Sequence, residues 1–292
     1  MPKNCSLSFD PLNILEEFPL KDHQDKPCRI ALGVEYDGAA FHGWQRQGDP
    51  ALPTVQGAVE KALARIANHP VDLVCAGRTD TGVHGTAQVV HFDCAIDRGV
   101  QAWICGTNSL LPPAVRILWA KTVDPAFHAR FSALYRRYHY LIHDSEIASA
   151  IMAGRLTHTR AQLDIAAMHQ AGQYLLGEQD FSSFRAAGCQ SRTPFRNVMH
   201  LRVTRHHRYI LLDIQANAFL QHMVRNIAGT LMEIGAGRQA PEWAQALLAA
   251  RDRRQAAMTA SPCGLYLVQV AYPAQFDLPQ SPIGPSFLQP FP

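Results

Sequence analysis

The chain has 292 residues, enough for one large domain or two of ordinary size, each with its own core. Hydrophobic residues make up 47% and charged residues 17%, the balance of a soluble globular protein, and no apolar run approaches the roughly 20 residues that cross a bilayer. The net charge of +3 conceals an asymmetry, since residues 125–210 hold eleven arginines against five acids.

Residues 1–27 read as a poorly ordered extension with at most a short helix near 12–18. They lack the apolar centre of a secretory signal. Cys28 to Tyr36 places Ile30, Leu32 and Val34 on one face, a half-buried strand. Asp37-Gly38 turns the chain, and Trp44 is the expected anchor of the loop that follows. Thr54 is positioned to cap a helix with an apolar face at 55, 59, 62, 63 and 66, which Pro70 stops. Val71–Ala76 and Thr86–Phe92 are predicted strands. A helix over Gln101–Leu110 ends at Pro112-Pro113, and Val115–Val123 is a strand.

The second half repeats this alternation. Tyr138–His143 is a strand and Ala161–Leu176 an amphipathic helix. Phe181–Thr193 is an Arg-rich loop too long to be only a connector. Two antiparallel strands, Phe195–Arg205 and Tyr209–Ala216, precede the most periodic helix, Phe219–Gly235, whose Arg225 lies off the apolar stripe. A helix over Glu242–Ala250 and a strand over Gly264–Tyr272 complete the pattern. The fold class is α/β in the broad (α+β) sense, with two sheet-and-helix units sharing a cleft. Their expected limits are 28–130 and 131–275, followed by a Pro-rich tail over 276–292.

The loop AGRTDTGVHG (76–85) is the stretch around which these elements are arranged. Its glycines allow sharp turns and close approach, and an extended piece would project Arg78 and Asp80 to one side. On this loop alone, an Asp holding a turn through its side chain is the favoured reading, and a reactive carboxylate the sharper one. His84 is open to acid–base or structural roles. Elsewhere FHARFSALYRRYHYLIH (127–143) alternates Arg and His with Phe and Tyr, as single-stranded nucleic-acid surfaces do. Forked guanidinium groups suit phosphate oxygens, so RNA leads as the partner class. His139 and His143 are four apart in a strand-like run, where that spacing brings no metal ligands together. No P-loop, dinucleotide fingerprint or H-E-x-x-H is present. Seven scattered cysteines without C-x-x-C fit reduced thiols in a cytoplasm.

At these residues the chain closely resembles the tRNA pseudouridine synthase A family. The matching segments come in family order: EYDGAAFHGWQRQ (35–47), AGRTDTGVHGTAQVVHF (76–92), the Asn108 to Pro112 stretch, FHARFSA (127–133), RRYHY (136–140), SRTPFR (191–196), NAFLQHMVRNIAGTLMEIG (217–235) and GLYLVQVAY (264–272). Thr81, where Ala is expected, is a small departure. The resemblance implies the pseudouridine synthase fold, with mostly antiparallel sheets, and isomerisation of uridine to pseudouridine at positions 38 to 40 of the tRNA anticodon stem-loop. It implies neither metal nor organic cofactor, and a homodimer that tRNA crosses. Asp80 takes the place of the family's essential carboxylate. Tyr138, Arg225 and Leu265 fall at substrate-binding positions, Arg225 as the expected partner of Asp80. Arg78 and Arg98 fall at RNA-binding positions, as do Phe127, His128, Ala129, Arg130 and Phe131, and Gly188, Cys189, Gln190, Ser191 and Arg192.

Two rival functions compete with this one. A catalytically silent tRNA-binding protein on the same fold would show steep salt dependence but no dependence on Asp80. A hydrolase would need a second carboxylate or a metal cluster, and Asp93 is the nearby acid in sequence.

Overall fold

Ten strands form one continuous sheet in the computed structural model, which describes residues 27–49 and 51–288. The expectations for the N-terminal extension therefore lie outside the described residues. In chain order the elements are β1 (Cys28–Tyr36), α1 (Val55–Ala67), β2 (Val74–Cys75), β3 (His84–Cys94), α2 (Thr107–Leu110), β4 (Val115–Val123) and β5 (Tyr135–Asp144). There follow β6 (Thr157–Thr159), α3 (Ile165–Gln173), β7 (Gly177–Asp180), β8 (Phe195–His206), β9 (Tyr209–Ala216), α4 (Met223–Gly235), α5 (Trp243–Ala250) and β10 (Leu265–Ala271). The sheet runs β4-β1-β3-β10-β5-β9-β8-β7, with β2 added to β3 and β6 to β5.

All neighbours are antiparallel except β3–β10 and β5–β6. β10, the last strand in sequence, thus sits in the middle of the sheet. It aligns Tyr266 and Leu267 with His84 and Gly85 on one side and Leu265 with Tyr140 on the other. The two sequence halves are joined through it.

β1 is buried on both faces from Ile30 to Val34, not on one. It is an interior strand, paired to β3 and β4 along its length, so Ala31 has neighbours as well as Ile30 and Leu32. Ile30, Leu32 and Val34 share a core with Val59 and Leu63 of α1. Thr54 Oγ1 accepts from Gly57 N, and the helix ends at Ala67, where Asn68 turns left-handed before Pro70 is reached. A larger core gathers Tyr138, Tyr140 and Ile142 of β5, Ile210, Leu212 and Ile214 of β9, and Ile227, Leu231 and Ile234 of α4.

Several predicted limits move. α3 starts at Ile165 because Asp164 caps it, accepting from Ala166 N and Ala167 N. α4 starts at Met223, four residues later than its periodicity suggests. His222 is left-handed at φ 61°, and Leu220 is buried without being helical. The strand expected over Val71–Ala76 pairs only at Val74–Cys75. β6 and β7 were not expected at all. After β10, the described part of the tail folds back on the sheet, Asp277 pairing with Lys121 and Phe287 meeting Tyr266 ring to ring.

Candidate active site

The loop between β2 and β3 is held from below by its own neighbours. Trp44, buried as expected of an anchor, donates its backbone N–H to Thr79 O at 3.0 Å. The Tyr36 hydroxyl meets Thr79 Oγ1 at 2.9 Å. Gly43, at φ 90°, lets the loop approach, since a Cβ there would stand 3.0 Å from Thr79 O. Val83 N donates to Asp80 O at 3.1 Å, and Gly82 completes the turn at φ 78°. Buried Gln88 braces the entry, donating to Gly77 O at 2.6 Å. Asp80 does sit in a turn, but its backbone carbonyl closes that turn. The side chain is left free for other work.

That side chain meets α4. Arg225 Nη1 donates to Asp80 Oδ2 at 3.1 Å, while its Nε is fixed by Ala260 O at 2.9 Å. His222 Nε2 lies 3.5 Å from the same oxygen. The Asp80 carboxylate remains 28% exposed, so the pair opens to solvent. Arg78, two residues before Asp80, is exposed; the guanidinium that meets the carboxylate is Arg225.

Tyr138 interacts electrostatically with Asp80, and Leu265 shares its hydrophobic core. Tyr138 is 7% exposed, with Phe219 edge-on at 5.1 Å, and its hydroxyl is the atom a Cβ at Gly77 would meet first. Burial, opposed by Arg136 and reinforced by Asp80, pushes its phenol far up, so it stays protonated across the neutral range. Leu265 begins β10 opposite Tyr140, in the same core. His84 is structural in this fold. It is stacked on Tyr266 at 4.6 Å, its Nε2 faces Gly154 O and Cys263 O, and burial lowers its basicity.

Behind the loop sits a residue that the sequence reading places on a nucleic-acid surface. Buried Arg136 donates to Ala76 O at 2.9 Å, Arg130 O at 2.6 Å and Asn217 O at 3.0 Å. It ties the start of the Asp80 loop to two other segments of the site.

A profile of the tRNA pseudouridine synthase family matches residues 33–132 and 171–273, which include Asp80 and Arg225 but not Tyr138. The chain belongs to this family. It is 58% identical over 260 residues to a tRNA pseudouridine synthase A of Vibrio cholerae serotype O1, spanning 89% of this chain and 98% of that protein. It is 59% identical over 260 residues to the protein of that name from Actinobacillus succinogenes, again with 89% and 98% covered. For the Haemophilus influenzae protein the identity is 58% over 261 residues, covering 89% of this chain and 96% of that one.

The other positions suggested by the synthase resemblance fall into three groups. In 127–131, Phe127 and Ala129 are fully buried and form the base of a knuckle. Ala129 N donates to His91 Nδ1 at 3.1 Å, and burial lowers that imidazole to about 4. His128 Nδ1 accepts from the backbone of Arg130 and Phe131, and its ring stacks on Phe131, which is 76% exposed. Arg130 and Phe131 are thus the residues this segment presents.

In 188–192, Gly188, Gln190 and Arg192 are exposed while Cys189 and Ser191 are half-buried. Arg185 holds this loop through Cys189 O and Ser191 O, and Cys189 Sγ accepts from Gln221 N at 3.4 Å, next to His222. Arg98 stands apart. Its Nη2 approaches Ala67 O at 3.4 Å, at the C-terminal end of α1 and past the far end of β3, so the fold does not bring it to Asp80. Two site residues were missed, His222 and Arg136. For His222 a signal existed, because it lies three residues before Arg225 in a periodic run.

Proposed function

We propose that this chain isomerises uridine to pseudouridine in tRNA, at positions 38 to 40 of the anticodon stem-loop, with Asp80 as the essential carboxylate. The observation that carries this reading is the contact of Asp80 with Arg225 at 3.1 Å, in a chain that belongs to the synthase family. The reaction breaks the N1–C1′ bond, turns the uracil and joins C5 to C1′. C5 loses a proton and N1 gains one, so composition is unchanged. Asp80 serves it by attacking the sugar, by attacking the base, or by removing the C2′ proton. Each route uses a carboxylate anion, and a fixed guanidinium supplies its counter-charge without itself losing a proton.

Chemistry on a paired base requires that base to leave the stack. Exposed Arg78 supports a role in filling the vacated space, and Arg130, Phe131 and Arg192 a role in holding the stem-loop. Tyr138 offers a ring to the extruded uracil and a hydroxyl to the departing C5 proton. Tyr138→Phe should keep tRNA affinity and lower turnover about 10²-fold; an unchanged rate would remove the hydroxyl from the mechanism.

The test of the whole reading uses unmodified tRNA tritiated at C5 of its uridines. Tritium release with pseudouridine mapped to 38–40 is the expected result. Tight binding without release would leave a tRNA-binding protein on the same fold. We read the enzyme as a cytoplasmic homodimer, in keeping with the family resemblance and with free thiols at every described cysteine. Sedimentation as monomer alone at assay concentration would overturn the dimer.

A further inference from the structure

We propose that His222 is a positioning residue for the isomerisation, fixing the Asp80 carboxylate together with Arg225. The inference rests on the synthase reading above and assigns the site a third member. His222 Nε2 lies 3.5 Å from Asp80 Oδ2, the oxygen that Arg225 Nη1 reaches at 3.1 Å. Both contacts fall on one oxygen. With Oδ2 between the guanidinium and the imidazole, Oδ1 is the oxygen assigned to ribose or base.

The backbone supports the assignment. His222 adopts φ 61° and ψ 3°, a conformation uncommon for a side-chain-bearing residue. Glycine or asparagine would adopt it more readily, and such residues cluster where a side chain is needed in a set direction. The left-handed turn occurs immediately before α4, and the His222 carbonyl accepts from Asn226 N at 2.9 Å. Asn226 is itself buried and donates to Phe184 O, so the turn is anchored from behind. In front, Gln221 N donates to Cys189 Sγ and Ala186 N to Gln221 O, which join the turn to the Arg-rich loop. The imidazole is 31% exposed and therefore lies at the mouth of the site, with Arg225 deeper at 14%. A contact of 3.5 Å is longer than a hydrogen bond, and contacts of this kind shorten when substrate closes the site.

The experiment uses the 292-residue enzyme, tritiated tRNA and the variant His222→Gly, which suits φ 61° and removes the imidazole together with its methylene. Turnover should fall about 10²-fold, the scale of a misplaced catalytic group, while KM for tRNA stays within about threefold. Added imidazole should restore turnover saturably. A second variant, His222→Asn, tolerates the backbone but is too short to reach Asp80, and should remain slow. His222→Gly with wild-type turnover would overturn the proposal. So would a loss that imidazole does not relieve, since the defect would then belong to the loop and not to the side chain. If the wild-type enzyme itself releases no tritium, the synthase reading fails first, which separates the two conclusions.

Discussion

Asp80→Asn should abolish turnover while leaving the protein folded and able to bind tRNA. The substitution is isosteric, and the ties that hold the loop are retained. Val83 N still donates to the residue-80 carbonyl, and Trp44 N and the Tyr36 hydroxyl still meet Thr79. What disappears is the negative charge between Arg225 and His222. An amide neither attacks carbon nor accepts a proton at neutral pH, so the rate should fall by at least about 10³-fold, as when an essential group is removed from other active sites. Affinity should change by a few-fold at most, because the carboxylate adds nothing favourable to a phosphate backbone. Tritium release and filter binding on the same preparation decide the matter. A loss of binding comparable to the loss of turnover would make Asp80 a structural residue.

The second large effect is expected at Arg136, a position remote from chemistry in the usual sense. Its guanidinium is buried, and its hydrogen bonds run to the carbonyls of Ala76, Arg130, Ala133 and Asn217. Burial lowers its basicity, because no carboxylate among those bonds offsets the loss of water. Arg136→Met keeps the volume and the unbranched stem but leaves these acceptors without donors. Each buried orphan costs about 1–3 kcal/mol, and the sum after relaxation should reach about 3–5 kcal/mol. That is a large part of the roughly 5–15 kcal/mol that holds a typical domain together. Chemical denaturation should show this loss. Arg136→Lys should recover only part of it, because one ammonium cannot span a fork of carbonyls. A Met variant within about 1 kcal/mol of wild type would refute the account.

Much of this was legible in the chain. Long apolar strands such as β1, β4 and β9 lie where the sequence places them, although β1 is buried on both faces and not only on the alternating one. The short polar strands were not. GEQD of β7 and THT of β6 carry no periodicity, and they become strands only because β8 offers a free edge and β5 runs on past the start of β10. Arg225 could be identified as the off-stripe cation of α4, but nothing local reports that α4 faces the loop 145 residues earlier. Arg136 was read with its neighbours as part of a nucleic-acid surface; its burial depends on three chain crossings that no window of sequence contains. The two expected units share one sheet through a parallel pairing of β3 and β10 that covers only Tyr266–His84 and Leu267–Gly85, too short to mark either strand's own pattern.

The central place of β10 has a consequence for how the enzyme comes into being. Synthesis proceeds at about 5–20 residues per second, and early segments fold first. The strands of the first half can pair with one another as they emerge, and so can β5, β8 and β9. Leu265–Ala271 is the last strand made, yet it is the piece that stands between β3 and β5. Until it has left the ribosome, the carboxylate and its arginine reside on parts of the polypeptide with no common strand between them. A chain that stops before Leu265 would hold both partners and lack the strand that joins their halves of the sheet.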